Sequence, residues 1–265
     1  MLYAVHLINC GLKMKGKQAN SSILKSPTYL ELRGLHKQLL ATDSELDNEQ
    51  VHNIRVLCKR VRAEALLLKS KKQRAGLKKL SKMLARYLAP ARDAQVRIET
   101  FDLLVAGKDV SLGELRSALV GDLDGINIDS GKVIGLLDSL LVRCKVLRAE
   151  VEGVKRKSLA KAQQKSLKLY QKLSHTHKST YHDWRKSVKS FLYLLKLLPE
   201  GKRSKEYKLV KQLADKLGLL HDLHVFEEFV VSNYRDYLAG LRCLLDQREQ
   251  KLLQEIDALS VELYG

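Results

Sequence analysis

Apolar residues recur every three or four positions through most of this chain, a spacing that predicts α-helices and not strands. The three prolines support this prediction, since Pro27, Pro90 and Pro199 each lie where a helix could begin or end. Leu, Lys, Ala, Glu and Arg dominate the composition, and these residues form helices well. The sequence therefore predicts an all-α fold.

Capping residues and helix breakers predict where the first helices begin. Ser26 followed by Pro27 is typical of a helix start, with Ser as the cap and Pro at the first helical position. This helix is expected to run to about Ala41. Asp47 and Gln50 are spaced like a capping box, which predicts the start of the second helix.

The remainder of the chain is expected to be helical, with interruptions at glycine and proline. A turn is expected within the run of residues 69–79, which includes Gly76; a break is expected at Pro90, and the end of a further helix near Gly107. The Gly/Asp-rich segment 121–132 is the best candidate for a joint between two halves of the chain. Further helical segments are expected at residues 112–123, 133–174 with a break near Gly153, 181–198, 204–217, 219–237 and 240–263.

Two of these predicted helices have a polar face that carries cations and no acid. In residues 51–69 this stripe consists of His52, Arg55, Lys59 and Arg62. Residues 181–198 repeat the arrangement with His182, Arg185, Lys189, Tyr193 and Lys196. Ordinary surface helices mix charges of both signs, so the spacing His-x-x-Arg-x-x-x-Lys, present twice, indicates two related binding helices.

A second pair of matching segments follows the two cationic helices. LAPARDAQV at residues 88–96 comes about forty residues after His52, and LGLLHDLHV at residues 217–225 comes at about the same distance after His182. The aligned pairs include Arg92 with His221 and Asp93 with Asp222. Two motifs that recur in the same order and spacing predict an internal duplication.

The residue types of the two stripes suit a linear polyanion. Arg gives bidentate contacts to phosphate oxygens, Lys supplies a compact charge, and His donates from its ring nitrogens. Helical spacing sets these groups about 5 Å apart along each helix. Because the duplication supplies two such stripes, we expect them to face each other across a groove. Asp93 and Asp222 are expected to orient the cationic side chains without contacting the ligand.

The formal net charge of +18 predicts an anionic partner but does not identify it. Nucleic acid, a membrane surface and polyphosphate all remain open on charge alone. Cys10, Cys58, Cys144 and Cys243 are scattered, which favours a reducing cytoplasm. The N-terminal apolar run is a poor signal peptide and is too short to span a membrane.

Simpler interpretations compete with several of these features. A cationic stripe can be a solvated face, and this holds most for the stripe on residues 157–172, which consists of Lys157, Lys161, Lys165, Lys168 and Lys172. Trp184 and Phe191 share the apolar stripe of their helix, which predicts core positions and not a stacking platform. Aromatic residues are sparse and lie on the apolar stripes, which disfavours stacking of nucleic-acid bases.

A metal site is the main alternative for the histidines. His221 and His224 are three residues apart beside Asp222, and His175 and His177 lie upstream. However, H-E-x-x-H is absent and the cysteines lack ligand spacing. A metal-dependent phosphohydrolase is therefore the least favoured hypothesis, and no nucleophile, base and orienting group can be assembled from the sequence.

The four motifs together resemble the CHAD domain, a family named for its histidines and α-helical fold. The resemblance rests on VHNIRVLCKRVR and LAPARDAQV in the first half and on YHDWRKSVKSFLY and LGLLHDLHV in the second. It implies two pseudo-symmetric four-helix bundles around a basic groove, binding of inorganic polyphosphate, and no catalytic activity. It covers residues 26–265, with halves at about 26–125 and 132–265, after a flexible arm at residues 1–25.

The family motifs assign a binding set residue by residue. It comprises His52, Arg55, Lys59, Arg60, Arg62, Arg92, His182, Arg185, Lys186, Lys189 and His221, with Asp93, Asp222, Tyr193 and Lys196 in support. No metal and no cofactor is implied. Ala89 stands where the family usually has Gly, and Ser190 and Leu192 stand where more basic residues are usual.

The resemblance also bears on partners and location. The motif E-x-E-x-K of the triphosphate tunnel enzymes often joined to CHAD is absent, so the chain is expected to be a stand-alone CHAD protein. Inorganic polyphosphate is the expected partner, with nucleic acid second and no membrane. A cytoplasmic location, with association with polyphosphate granules, is expected.

Overall fold

The computed structural model describes residues 26–41, 45–108, 112–147, 152–173, 178–198 and 203–265. Within these ranges the regular structure is helical and contains no strand, which confirms the all-α prediction. The helices are α1 (Pro27–Ala41), α2 (Asn48–Glu64), α3 (Lys71–Tyr87), α4 (Ala89–Val105), α5 (Gly113–Asp124), α6 (Ser130–Cys144), α7 (Glu152–Tyr170), α8 (Lys178–Leu195), α9 (Lys205–Asn233) and α10 (Leu238–Tyr264). Short 3-10 turns at Ala65–Leu67 and Arg235–Tyr237 follow α2 and precede α10. The predicted arm at residues 1–25 lies outside the described residues.

The starts of α1 and α2 follow the predicted caps. The Ser26 hydroxyl oxygen accepts from the backbone N–H of Thr28 at 3.2 Å. The side-chain hydroxyls of Ser26 and Thr28 both donate to the buried carboxylate of Glu64. Asp47 and Gln50 form a reciprocal capping box: Asp47 accepts from the Gln50 N–H at 2.6 Å and donates its own N–H to the Gln50 side chain at 3.0 Å. These bonds satisfy N–H groups that have no partner within a helix.

The turn expected within residues 69–79 lies at the start of that run, at Lys69 and Ser70, and not at Gly76, because α3 is continuous from Lys71 to Tyr87. The apolar period continues across the glycine, and Leu77 and Leu84 are fully buried. A Cβ at Gly76 would lie 2.8 Å from an Arg143 guanidinium nitrogen of α6. The glycine therefore allows a long side chain to cross the helix closely; it does not break the helix.

The two segments expected at 204–217 and 219–237 are also one helix, α9. Leu217 and Leu220, on either side of Gly218, are both buried in the same core, and this packing offsets the cost of about 1 kcal/mol for an interior glycine. The matching stretch of the first half contains Pro90 and is not continuous: the chain divides there into α3 and α4, because proline has no backbone N–H to continue the helical hydrogen bonds. The segment 133–174 forms two helices, α6 and α7, with α6 ending at Cys144 ahead of the expected break.

Two hydrophobic clusters organise the fold. The first is built by α1, α2, α3 and α6, and the second by α5, α8, α9 and α10 with the later part of α4. Trp184 and Phe191 are fully buried in the second cluster, which confirms them as core residues. The helices α2 and α8 contact each other, so the two cationic stripes meet between the clusters.

Candidate functional site

The contact between α2 and α8 places Lys59 beside cations of the opposite helix. Burial, followed by the charges of Lys189, Arg185 and Arg55, lowers the pKa of Lys59 to about 7, and Asp222 opposes this shift. Amines held this close repel one another. Fixed positive charge from both sequence halves is therefore concentrated at one place.

Lys189 of α8 has a closely related environment. Burial, and next the charge of Arg185, lowers its pKa to about 8, while Asp222 and Asp215 act in the opposite direction. Its ammonium nitrogen lies 3.6 Å from where a Cβ of Gly218 would stand, so the backbone of α9 forms a wall beside it. A buried nitrogen of Arg185, Nε, has no hydrogen-bond partner among the described residues.

Asp222 on α9 is the carboxylate that opposes the lowered pKa of both Lys59 and Lys189 most strongly. Burial raises its pKa, whereas Arg185, Lys189, Arg92 and Lys59 lower it. One carboxylate thus interacts with cations from three other helices, and it cannot neutralise them. This arrangement leaves an excess of positive charge with little freedom to move away.

The first-half cations are positioned by α3 and α4. Arg55 donates to the backbone carbonyl of Ala85 at 3.3 Å and forms an ion pair with Asp93 at 3.4 Å. Arg92 forms two hydrogen bonds with Glu99, at 2.9 and 3.0 Å. Both guanidinium groups are held by acceptors on one side, which fixes their orientation.

The three predicted histidines join the same region. Burial and then the charges of Arg92 and Lys59 lower the pKa of His52, and Lys189 adds to this effect. His182 and His221 lie with their Nδ1 atoms 3.4 Å apart and their ring centroids 4.6 Å apart.

The second-half histidines are kept neutral by their surroundings. Burial, followed by Arg185 and His182, lowers the pKa of His221 to about 3. Burial, followed by Lys186 and Arg185, lowers the pKa of His182. We call the group that these interactions connect the cationic cluster: His52, Arg55, Lys59, Arg92, His182, Arg185, Lys189 and His221, with Asp93 and Asp222.

Some predicted site residues lie elsewhere. Arg60 is 6% exposed and pairs with Glu31 of α1, with one N–O distance of 2.9 Å. Lys186 is exposed and pairs with Asp183 at 3.2 Å. Lys196 lies just beyond the end of α8 and is half-buried. Arg60 is therefore held against α1 and lies outside the cationic cluster, whereas Lys186 acts on the cluster only through its charge on His182.

Tyr193 lies close to cations of both halves. Burial raises its pKa, and the charges of Arg185, Arg60 and Arg62 oppose that shift. Its hydroxyl therefore lies beside the cluster. Arg62 interacts with Arg55 as well, which places it at the edge of the cluster.

Sequence reasoning missed two carboxylates of this region. Asp215 acts on Lys189, and Glu99 holds Arg92. Each lies seven residues from a residue that was found, Asp215 before Asp222 and Glu99 after Arg92, and this spacing places each pair on one helix face. The heptad spacing was the available signal.

The metal hypothesis gains no support from the residues that can be described. Across these ranges, no group of three or more His, Cys, Asp and Glu is arranged to hold a metal ion. His224 instead pairs with Glu249 at 2.6 Å. His175 and His177 lie outside the described residues.

Comparison with known proteins identifies the family. The CHAD domain family model matches residues 31–231, and the chain belongs to this family of all-helical domains. The crystal structure of the CHAD domain from the plant Ricinus communis resembles the fold with a TM-score of 0.57 at 16% identity, covering 90% of this chain and 88% of that one. No curated protein matches the sequence. Among the helices described, none is long and apolar enough to cross a membrane.

Proposed function

We propose that the protein binds inorganic polyphosphate, without catalysis, in a groove formed by the cationic cluster. Membership of the CHAD family supports this proposal, because the family resemblance implies polyphosphate binding. A role in targeting to polyphosphate granules in the cytoplasm follows as part of the same proposal. The two halves of an internal duplication would each supply one wall of the groove.

The observation that carries the proposal is the crowding of Lys59, Lys189 and Arg185 between α2 and α8. A structural role would be better served by neutral side chains, since buried like charges oppose folding. A bound polyanion converts this repulsion into attraction and favours the charged form of each amine. Polyphosphate has one negative charge on each internal unit and no bases, so it matches a cluster that is rich in cations and poor in exposed aromatic rings.

Substitution of one arginine from each half tests the proposal. Arg55→Ala combined with Arg185→Ala should lower polyphosphate affinity about a hundredfold, because each lost charge-assisted hydrogen bond is worth about 1.5 kcal/mol or more. Calorimetric titration with polyphosphate, with duplex DNA and RNA as competitors, measures the effect.

Arg33→Ala combined with Arg116→Ala is the matched control, since both arginines are exposed on other helices. The control variant should bind as the unchanged protein does, and both variants should keep their helical circular dichroism. Undiminished binding by the Arg55/Arg185 variant would contradict the proposal. Preference for DNA or RNA over polyphosphate would instead make the protein a nucleic-acid binder.

A further inference from the structure

The outer face of α3 carries a second concentration of positive charge. Lys71–Tyr87 contains Lys and Arg but no Asp or Glu. Its basic residues are Lys71, Lys72, Arg74, Lys78, Lys79, Lys82 and Arg86. Surface helices usually alternate charges of both signs, so this composition calls for an explanation.

Six of the seven basic side chains of α3 are exposed to solvent. Leu77 and Leu84 are fully buried against the first core, and Arg74 bends back to donate to the Leu68 carbonyl at 2.7 Å. The remaining side chains are exposed: Lys71, Lys72, Lys78, Lys79, Lys82 and Arg86. No ion pair is found for any of these six within the described ranges. We call them the α3 track.

The α3 track begins where the cationic cluster ends. Arg55 of the cluster donates to the carbonyl of Ala85, which places the last turn of α3, with Arg86, beside it. At a rise of 1.5 Å per residue, the track then extends about 22 Å to Lys71.

Two cationic side chains of α6 lie against α3. The Lys132 ammonium lies 4.5 Å from the centre of the Tyr87 ring, and the Arg143 guanidinium rests against Gly76. The positive surface is therefore wider than α3 alone, and it is continuous from the last turn of α3 to its middle.

We infer that a polyphosphate chain too long for the cationic cluster continues along the α3 track, which acts as a second binding surface for the same ligand. This inference rests on the proposed function. Lysine is a compact charge that binds phosphate without requiring a fixed geometry, which suits a flexible chain on an open face. The track exposes no aromatic ring on which bases could stack, and this favours polyphosphate over nucleic acid.

The lysine stripe of α7 provides an internal comparison. Lys157, Lys161, Lys165, Lys168 and Lys172 are all exposed as well. However, the described side chains of α7 bond to other elements, Ser166 to Tyr264 at 2.6 Å and Gln163 to Glu206 at 3.2 Å. These two bonds lead to α9 and α10, away from the cationic cluster, although α7 itself packs on α8. The helix α7 therefore serves as a comparison of similar charge on a different surface.

Charge reversal on the two helices separates a specific surface from general attraction. Lys78→Glu with Lys82→Glu changes α3, and Lys161→Glu with Lys165→Glu makes the same change in net charge on α7. The α3 variant should lose about tenfold in affinity for long-chain polyphosphate, and its salt slope should fall by about 1.4, the value for two lost contacts on a single-stranded chain. Its affinity for tripolyphosphate should stay within about twofold of the unchanged protein, as should both affinities of the α7 variant.

Each other result overturns the inference in a recognisable way. Equal losses in the α3 and α7 variants would mean that only total charge matters. An equal loss for tripolyphosphate would mean that α3 acts through the cluster. A loss confined to duplex DNA would make the α3 track a nucleic-acid surface. Failure of the proposed function is distinguished by the Arg55/Arg185 variant, which would then keep its affinity for tripolyphosphate.

Discussion

At the scale of single residues, the most informative groups are the two lysines that face each other across α2 and α8. Their pKa values, about 7 for Lys59 and about 8 for Lys189, leave both partly neutral in the free protein near neutral pH. With an ordinary pKa of about 6.5, His52 and His182 would make binding pH-dependent just below neutrality. The lowered pKa of each histidine moves that contribution to more acidic conditions, and the lysines dominate above neutrality.

The pH dependence of binding should therefore follow the lysines. Since a bound polyanion favours the charged amine, affinity should be highest when both are protonated and should fall as pH rises from about 6 to about 9. Titration with polyphosphate at a series of pH values at constant ionic strength measures this. In a variant with Lys59→Met and Lys189→Met the affinity should be lower and nearly constant over that range. A pH profile as steep as that of the unchanged protein would show that other groups are responsible.

Helical periodicity was sufficient to place Arg55, Lys59, Arg185 and Lys189 on helix faces whose charges interact in the structure. It was not sufficient for Arg60, because the choice between the cluster and the Glu31 carboxylate depends on how α1 packs against α2. The close contact of the His182 and His221 rings likewise depends on the packing of α8 against α9. Contacts between elements distant in sequence are set by tertiary structure, which one-dimensional spacing does not contain.

At the scale of elements, local signals and tertiary context contributed unequally. The caps at Ser26 and Asp47 and the break at Pro90 were predictable because each acts through neighbouring backbone groups. Gly76 and Gly218 were not, since a glycine ends a helix or allows close approach depending on what packs against it. Only the folded structure shows Arg143 and Lys189 occupying that space.

Substitution by alanine should have opposite effects on stability at Gly76 and at Gly107. Gly76→Ala should stabilise the fold by about 0.5 kcal/mol or more, because only the flexible end of Arg143 must move and alanine favours the helix. Gly107→Ala should destabilise it by about 1 kcal/mol, because φ at Gly107 is +70°. Urea denaturation followed by circular dichroism measures both. Destabilisation by the Gly76 variant would show that the position of Arg143 matters more than helix propensity.

The internal duplication stays a prediction, and helix packing suggests the form it would take. Among the helices of the first half, α4 is packed by α5, and α3 is packed by α6, which follows the predicted joint; in the second half α10 packs along α9. On this reading, α5 and α6 together occupy the place of α10. The resemblance between halves would then lie in packing positions more than in the number of helices.

At the scale of the whole molecule, charge governs the expected behaviour. A net charge of +18 attracts polyanions over long distances, and specificity must come from where the charge is fixed. The cationic cluster and the α3 track are two such places. The +18 excess was plain in the sequence, but the meeting of the two stripes required the contact of α2 with α8.

Added salt should weaken polyphosphate binding steeply. Each neutralised phosphate releases condensed cations, so log affinity should fall linearly with log salt by about 0.7 for each contact on a single-stranded chain. Titrations at several sodium chloride concentrations give the slope. An affinity that does not change with ionic strength would exclude binding through these cations.

The two helices that flank the predicted joint at residues 121–132 each pack into the core of the other half. α5, which precedes the joint, packs into the second core, and α6, which follows it, packs into the first. A chain cut between them would leave each fragment with an uncovered apolar face. Neither half should therefore fold as an isolated unit, and the two cores should unfold together in one cooperative transition. Until that transition occurs, the distance between the cationic helices α2 and α8 should stay fixed.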